Sequence, residues 1–195
     1  MGNGHVCRAI LFGTALGLGT RYGNHFPGDF DWIPEVGVPW LAVAFAAARG
    51  VPRVRDGAFL GALSLVVAIL VYYAALAFLQ GAYGSSPLGI GWLTVAVPTG
   101  ATFGALGSLW SAGRGRVKVA ALMSACFAGE AIIFERLADP AAVPYLLACA
   151  AALPLLLVRR TSDRVRALAL ALPLVAAAIL AEGSVILATG YLIRA

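Results

Sequence analysis

The chain has 195 residues, of which 61% are hydrophobic and only 12% are charged. With a mean hydropathy of +0.89, this composition excludes an ordinary soluble domain and predicts a membrane protein. A spanning helix needs about 20 mainly apolar residues, so the length predicts about seven spans in a single transmembrane domain, residues 1–195. The net charge of +5 is explained by where the basic residues fall, and no nucleic-acid partner is predicted.

Seven apolar segments follow one another along the chain and predict an all-α, polytopic membrane helical bundle. Their approximate ranges are 7–21, 37–48, 57–80, 88–111, 117–135, 141–158 and 167–193. Three pairs of glycines with GxxxG spacing predict places where helix backbones approach closely. They are Gly13 with Gly17, Gly57 with Gly61, and Gly100 with Gly104.

The basic residues predict the orientation of these segments. Eleven of the 14 basic side chains fall on one side, at the start of the first segment and around the ends of the second, fourth and sixth. Only Arg21, Arg136 and Arg194 fall on the other side. Because loops rich in Lys and Arg face the cytoplasm, we expect a multi-pass protein of the cell membrane, N-in and C-out.

The loop between the first two segments is rich in rings and acids, and we expect it to fold over the outer mouth of the bundle. Asp29 and Asp31 are two residues apart, a spacing that fits either a substrate-binding pair of carboxylates able to hold a cation or a solvated turn. No metal site is predicted, because the three cysteines lack the spacing of metal ligands.

Two carboxyl groups lie deep within the apolar segments. Glu130 and Glu182 are each the only charge in a long apolar run, VAALMSACFAGEAIIF and ALALPLVAAAILAEGSVILATGYLI. A carboxylate at the centre of a bilayer costs about 2.5 kcal/mol or more, so each acid is a candidate functional residue. The alternative is a structural hydrogen bond to a neighbouring helix. The rise of an α-helix places both acids just beyond the midplane, in the outer half.

Aromatic side chains are expected at a similar depth and are the candidate substrate-binding residues. Tyr72 and Tyr73 fall level with the two acids. On the fifth segment, helical spacing places Phe127 and Phe134 on the same face as Glu130. Aromatic residues nearer the outer ends fit either the same pocket or the interfacial belt of membrane proteins. They are Trp40, Trp92 and Tyr145.

A buried acid among aromatic rings fits one reaction class, protonation of an alkene followed by carbocation cyclisation. A medium of low dielectric constant favours the protonated form of a carboxyl group, which can then donate a proton. Aromatic faces stabilise cations, and exclusion of water prevents early quenching. The sequence therefore predicts Glu130 and Glu182 as catalytic residues, no metal or cofactor, and a polyprenyl substrate dissolved in the bilayer.

Several segments resemble those of small multi-spanning membrane proteins of actinomycetes. They are GVPWLAVAFAAARG (37–50), GALSLVVAILVYY (61–73), PTGATFGALGSLW (98–110) and the two acid–glycine sites. In size, helix count and intramembrane acids the chain is also similar to small membrane-bound terpene cyclases, such as those of bacterial drimane-type indole-terpenoid pathways, and to the seven-helix fungal meroterpenoid cyclases. This resemblance implies a metal-independent, proton-initiated cyclase that acts on a prenylated or farnesyl substrate.

A second function class fits the same composition. Six or seven short helices with few charges also describe a small-solute transporter, or the substrate-capturing subunit of a vitamin importer. In such a protein an outward-facing pocket would bind the solute, and the buried acids would bind it or relay protons. A new carbon skeleton in the product distinguishes the cyclase, and solute flux distinguishes the transporter.

Overall fold

The computed structural model describes the backbone of residues 2–23, 36–80, 87–137 and 140–194, and the side chains of these ranges except 79–80, 87–90, 136–137 and 181–194. All regular structure in these ranges is helical, which confirms the all-α prediction for them. In chain order the elements are α1 (Asn3–Gly23), α2 (Val38–Ala47), α3 (Val54–Gln80), α4 (Pro87–Ser111), α5 (Arg116–Leu137), a short 3-10 helix (Pro140–Ala142), α6 (Val143–Leu157) and α7 (Thr161–Arg194).

Three of the described helical segments are long and apolar enough to cross a membrane. They are Val54–Phe78, Arg116–Glu135 and Pro140–Leu157, which match the third, fifth and sixth predicted segments. The second predicted segment forms α2, a helix of only ten residues. At about 1.5 Å per residue α2 is about 15 Å long, roughly half of what a spanning helix needs. The count of seven spans stays a prediction.

The first of two compact units contains α1 to α4, as residues Met1–Ala112 together with Leu187–Ala195. Helix α3 packs against α1 and α4, and α2 packs against all three. A Cβ atom built on Gly13 would contact Val67, and one built on Gly17 would contact Val71. Because both contacts advance in the same direction along the chain, α1 and α3 run parallel.

Helices α3 and α4 run antiparallel and touch through glycine. A Cβ atom on Gly57 would lie 2.9 Å from the carbonyl oxygen of Gly104, and one on Gly61 would lie 2.7 Å from Cα of Gly104. No real side-chain atom fits at such distances, so these helices pack backbone against backbone. The predicted close approach at the three GxxxG pairs is confirmed.

The short helix α2 is held at its carboxyl end by a side chain of α1. Arg8 donates hydrogen bonds from Nε and Nη2 to the carbonyl oxygen of Ala47, at 3.2 and 2.8 Å, and from Nη2 to the carbonyl oxygen of Arg49. The last carbonyl groups of a helix have no partner inside it, and a cation there is stabilised by the helix dipole. Arg8 therefore ties α2 to α1.

The second compact unit is Gly113–Ile186. Its helices meet in a core made mostly of alanine, which lets them approach closely. The core residues are Ala120, Ala121, Ala125, Val158, Ala167 and Ala171. Just before α5, Gly113 and Gly115 adopt positive φ angles of 76° and 66°, a conformation that costs a residue with a Cβ atom more than it costs glycine.

Candidate functional site

Glu130 is buried within α5. It is only 2% exposed and is one of the largest fully buried side chains of the described residues. Met123 and Phe134, on the same helical face, are 2% and 5% exposed. The predicted burial of an acid beside an aromatic ring is therefore found in the second unit. Phe127, on the same stripe, is half-buried.

The backbone of α7 passes close to this part of α5. A Cβ atom on Gly129 would lie 3.1 Å from Cβ of Ala178 and 3.6 Å from the backbone nitrogen of Ile179. Further down, alanines 121 and 125 share a core with alanines 167 and 171, so α5 and α7 run parallel. In this register, residue 182 lies about 4 Å along the helix axis from the level of Glu130.

This register places the two predicted acid positions on adjacent helices, less than one turn apart in height. The side chain of Glu182 lies outside the described side chains, as do Asp29 and Asp31 of the first loop. Their assignments, and the predicted lid over the outer mouth, stay predictions.

The two predicted tyrosines contact each other in the first unit. The ring centroids of Tyr72 and Tyr73 are 5.3 Å apart and the rings are nearly perpendicular, at 87°. Both side chains are half-buried, as is that of Trp40 in α2. Their assignment as substrate-binding residues stays a prediction.

The remaining predicted aromatic residues are exposed. Trp92 of α4 is 44% exposed and Tyr145 of α6 is 51% exposed. Exposure is compatible with the interfacial belt and does not test a role in substrate binding. Both interpretations of these two residues stay predictions.

A buried arginine is the residue that the sequence analysis missed. Arg21, in the last turn of α1, is only 4% exposed, and its Nε makes no hydrogen bond in the part of the chain that the structure describes. A signal was present: Arg21 continues the four-residue spacing of Gly13 and Gly17, and these three residues and Ala9 are buried on one stripe of α1. The positive-inside rule uses Arg21 only to assign a side of the membrane and does not predict that its side chain is buried.

One basic side chain, that of Arg49, stacks on Trp110 at the end of α4. The guanidinium carbon of Arg49 lies 4.5 Å from the centre of the Trp110 ring, and the ring of Phe45 meets the same tryptophan edge to face, with centroids 6.0 Å apart.

Within the described residues, no group of three or more His, Cys, Asp or Glu side chains is placed to hold a metal ion.

These features define a class, an all-α protein whose described part contains three helices long and apolar enough to cross a membrane. A family model matches residues 3–187. The chain belongs to that family, DUF6518, a family of unknown function. No curated protein matches the chain. No solved structure matches it either.

Proposed function

We propose that the protein is a membrane-embedded, metal-independent terpene cyclase, a seven-helix, N-in and C-out protein of the cell membrane. The observation that carries this proposal is the near-complete burial of Glu130 on the face of α5 that also buries Phe134. An ionisable side chain is costly to bury in an apolar bundle, and acid catalysis supplies a reason for the position of this one. The resemblance to small membrane-bound cyclases supports the same reaction class.

In the proposed reaction a protonated carboxyl group transfers its proton to a terminal alkene of a polyprenyl chain. A C–H bond forms, and the alkene electron pair that forms it leaves a tertiary carbocation. The next alkene attacks this cation and closes a ring. Loss of a proton to a carboxylate then restores a double bond. Proton gain and loss balance, so the product is an isomer of the substrate, and the adjacent helices at positions 130 and 182 supply both carboxyl groups.

The experiment compares two glutamates of α5. Glu130 is buried, whereas Glu135 is exposed on the same helix. Membranes with wild-type protein, Glu130→Gln or Glu135→Gln are incubated with farnesylated substrates in D2O, and the extract is analysed by mass spectrometry. Wild type and Glu135→Gln should form an isomer that carries one deuterium. Glu130→Gln should lose about 100-fold or more in turnover, as expected for a missing general acid.

Two results would reject the cyclase. One is the absence of any cyclised isomer with wild-type protein across farnesyl and longer prenyl substrates. The other is equal turnover by Glu130→Gln and wild type, because a proton donor cannot be replaced by an amide. Elution of both variants at the wild-type volume in size-exclusion chromatography shows that a loss of turnover is not a loss of folding.

The second candidate is a small-solute transporter or a substrate-binding membrane subunit, and Arg21 is the observation that favours it. A buried guanidinium with an unpartnered Nε, near the end of α1 predicted to lie outside, is suited to hold an anionic solute. This function predicts solute uptake into proteoliposomes that Arg21→Gln abolishes, with no new carbon skeleton. Cyclised product without uptake would exclude it.

A further inference from the structure

A cleft of about 490 Å³ opens in the first unit, where α1 begins and where α2 and α4 end. Arg8, Phe12, Ala46, Arg49, Trp110 and Ser111 are among the residues that line it. It therefore combines two cationic side chains with apolar and aromatic walls. Neither proposed function uses this cleft.

The first cation, Arg8, is held in a fixed position. Its Nε and Nη2 donate to the carbonyl groups of Ala47 and Arg49, and Nη2 lies 3.4 Å from Nδ1 of His5. Among the described residues these bonds use Nε and Nη2, so Nη1 retains its capacity to donate to a ligand. A donor that is already immobilised loses little conformational entropy on binding.

The second cation, Arg49, is oriented by the tryptophan. Its guanidinium lies over the ring of Trp110, and Phe45 holds that ring edge to face. Stacking uses the face of the guanidinium plane, whereas its N–H groups point outward in the plane. Arg49 can therefore stack and bind an oxyanion at the same time. Planar N–H pairs of this kind match the oxygen atoms of a phosphate group.

Beside the cleft, α1 exposes apolar side chains. Phe12, which lines the cleft, is 37% exposed, and Leu11, the residue before it, is 66% exposed. A soluble anion would gain nothing from this apolar surface. An amphiphile would place its phosphate between the arginines and its acyl chain along α1.

We propose that this cleft binds the phosphate group of an anionic phospholipid, with one acyl chain lying along Phe12 and Leu11. The cleft lies at the side of the helices that carries most of the basic residues. The positive-inside rule assigns this side to the cytoplasm, and the cytoplasmic leaflet is rich in anionic lipids. The site is thus placed at the depth where such headgroups lie.

The test measures lipids retained by the purified protein, by native mass spectrometry from mixed micelles of phosphatidylglycerol and phosphatidylcholine with identical chains. Wild type should retain phosphatidylglycerol preferentially. Arg49→Gln should weaken its binding about tenfold, which corresponds to the loss of a charge-assisted hydrogen bond. Arg49→Lys, which keeps the charge but loses the planar N–H pair, should fall between them.

The matched control is Arg53→Gln. Arg53 is exposed, lies four residues from Arg49, and does not line the cleft. It should leave lipid retention unchanged. Equal losses for Arg49→Gln and Arg53→Gln would overturn the proposal, because diffuse charge alone would then explain retention. Displacement of the lipid by millimolar inorganic phosphate, or no preference for the anionic lipid, would overturn it as well.

Discussion

Gly61 of α3 and Gly104 of α4 lie backbone to backbone: a Cβ atom at position 61 would stand 2.7 Å from Cα and 2.8 Å from the nitrogen of Gly104. An added methyl group must push the two helices apart, because no flexible side chain is there to yield. We therefore expect Gly61→Ala to lower the free energy of unfolding in detergent by about 1–3 kcal/mol.

Gly19 provides the control for this substitution. It lies on the exposed side of α1, and a Cβ atom there would meet nothing within 4 Å. Alanine is the better helix former by about 0.5–1 kcal/mol, so Gly19→Ala should leave the unfolding midpoint unchanged or raise it. Equal losses at both positions would show that backbone packing between α3 and α4 is not the cause.

Replacement by methionine should lower the stability of the folded protein at Arg8 but not at Arg21, both in α1. Arg8→Met removes three hydrogen bonds to carbonyl groups, and we expect a loss of about 2 kcal/mol in unfolding free energy. Arg21→Met removes a buried charge with an unpartnered Nε. Replacing such a charge by an apolar side chain is often neutral or stabilising, so thermal unfolding should shift little or upward. A loss at Arg21 equal to that at Arg8 would contradict this account.

Ser108 should contribute through one buried hydrogen bond. Its Oγ donates to the carbonyl oxygen of Val51 at 2.7 Å, and the side chain is 1% exposed. Ser108→Ala leaves that carbonyl without its donor and should cost about 1–2 kcal/mol in chemical unfolding. Thr102→Ala removes an exposed bond within α4 and should cost less than about 0.5 kcal/mol. Equal chemical-unfolding midpoints for these two variants would contradict the prediction.

Two exposed cysteines test the membrane orientation. Cys7 lies near the start of α1, and Cys149 lies in the middle of the apolar helix α6. In single-cysteine variants, a membrane-impermeant maleimide should label Cys7 in inverted vesicles and spare it in intact cells, because the basic end is predicted to face the cytoplasm. Cys149 should stay unlabelled in both, since lipid covers it. Labelling of Cys7 from outside intact cells would reverse the proposed orientation.

The sequence predicted the helices well where apolar runs are long, because backbone groups in an apolar medium must bond within a helix. It also predicted the burial of Glu130, since one helical face repeats Met123, Phe127 and Phe134 around it. The sequence did not predict contacts between residues that are far apart along the chain. The stacking of Arg49 on Trp110 joins residues 61 positions apart, and no local pattern encodes such a pair.

The burial of Arg21 was missed for a different reason. The positive-inside rule treats every arginine as a label of side, and it carries no information on whether the side chain faces solvent or the bundle. The spacing from Gly13 and Gly17 contains that information. For Arg21, the residue four positions beyond two small residues on the same helical face, this spacing indicates burial, which the positive-inside rule does not.

The attachment of α2 to Arg8 links folding to the direction of synthesis. The guanidinium precedes the carbonyl group of Ala47 by 39 positions, so the ribosome makes the donor well before the acceptors. A newly made α2 meets a partner that is already in place. In a rearranged gene that encoded α1 after α2, the ten-residue helix would be made before Arg8, and its last carbonyl groups would stay unpaired until α1 followed.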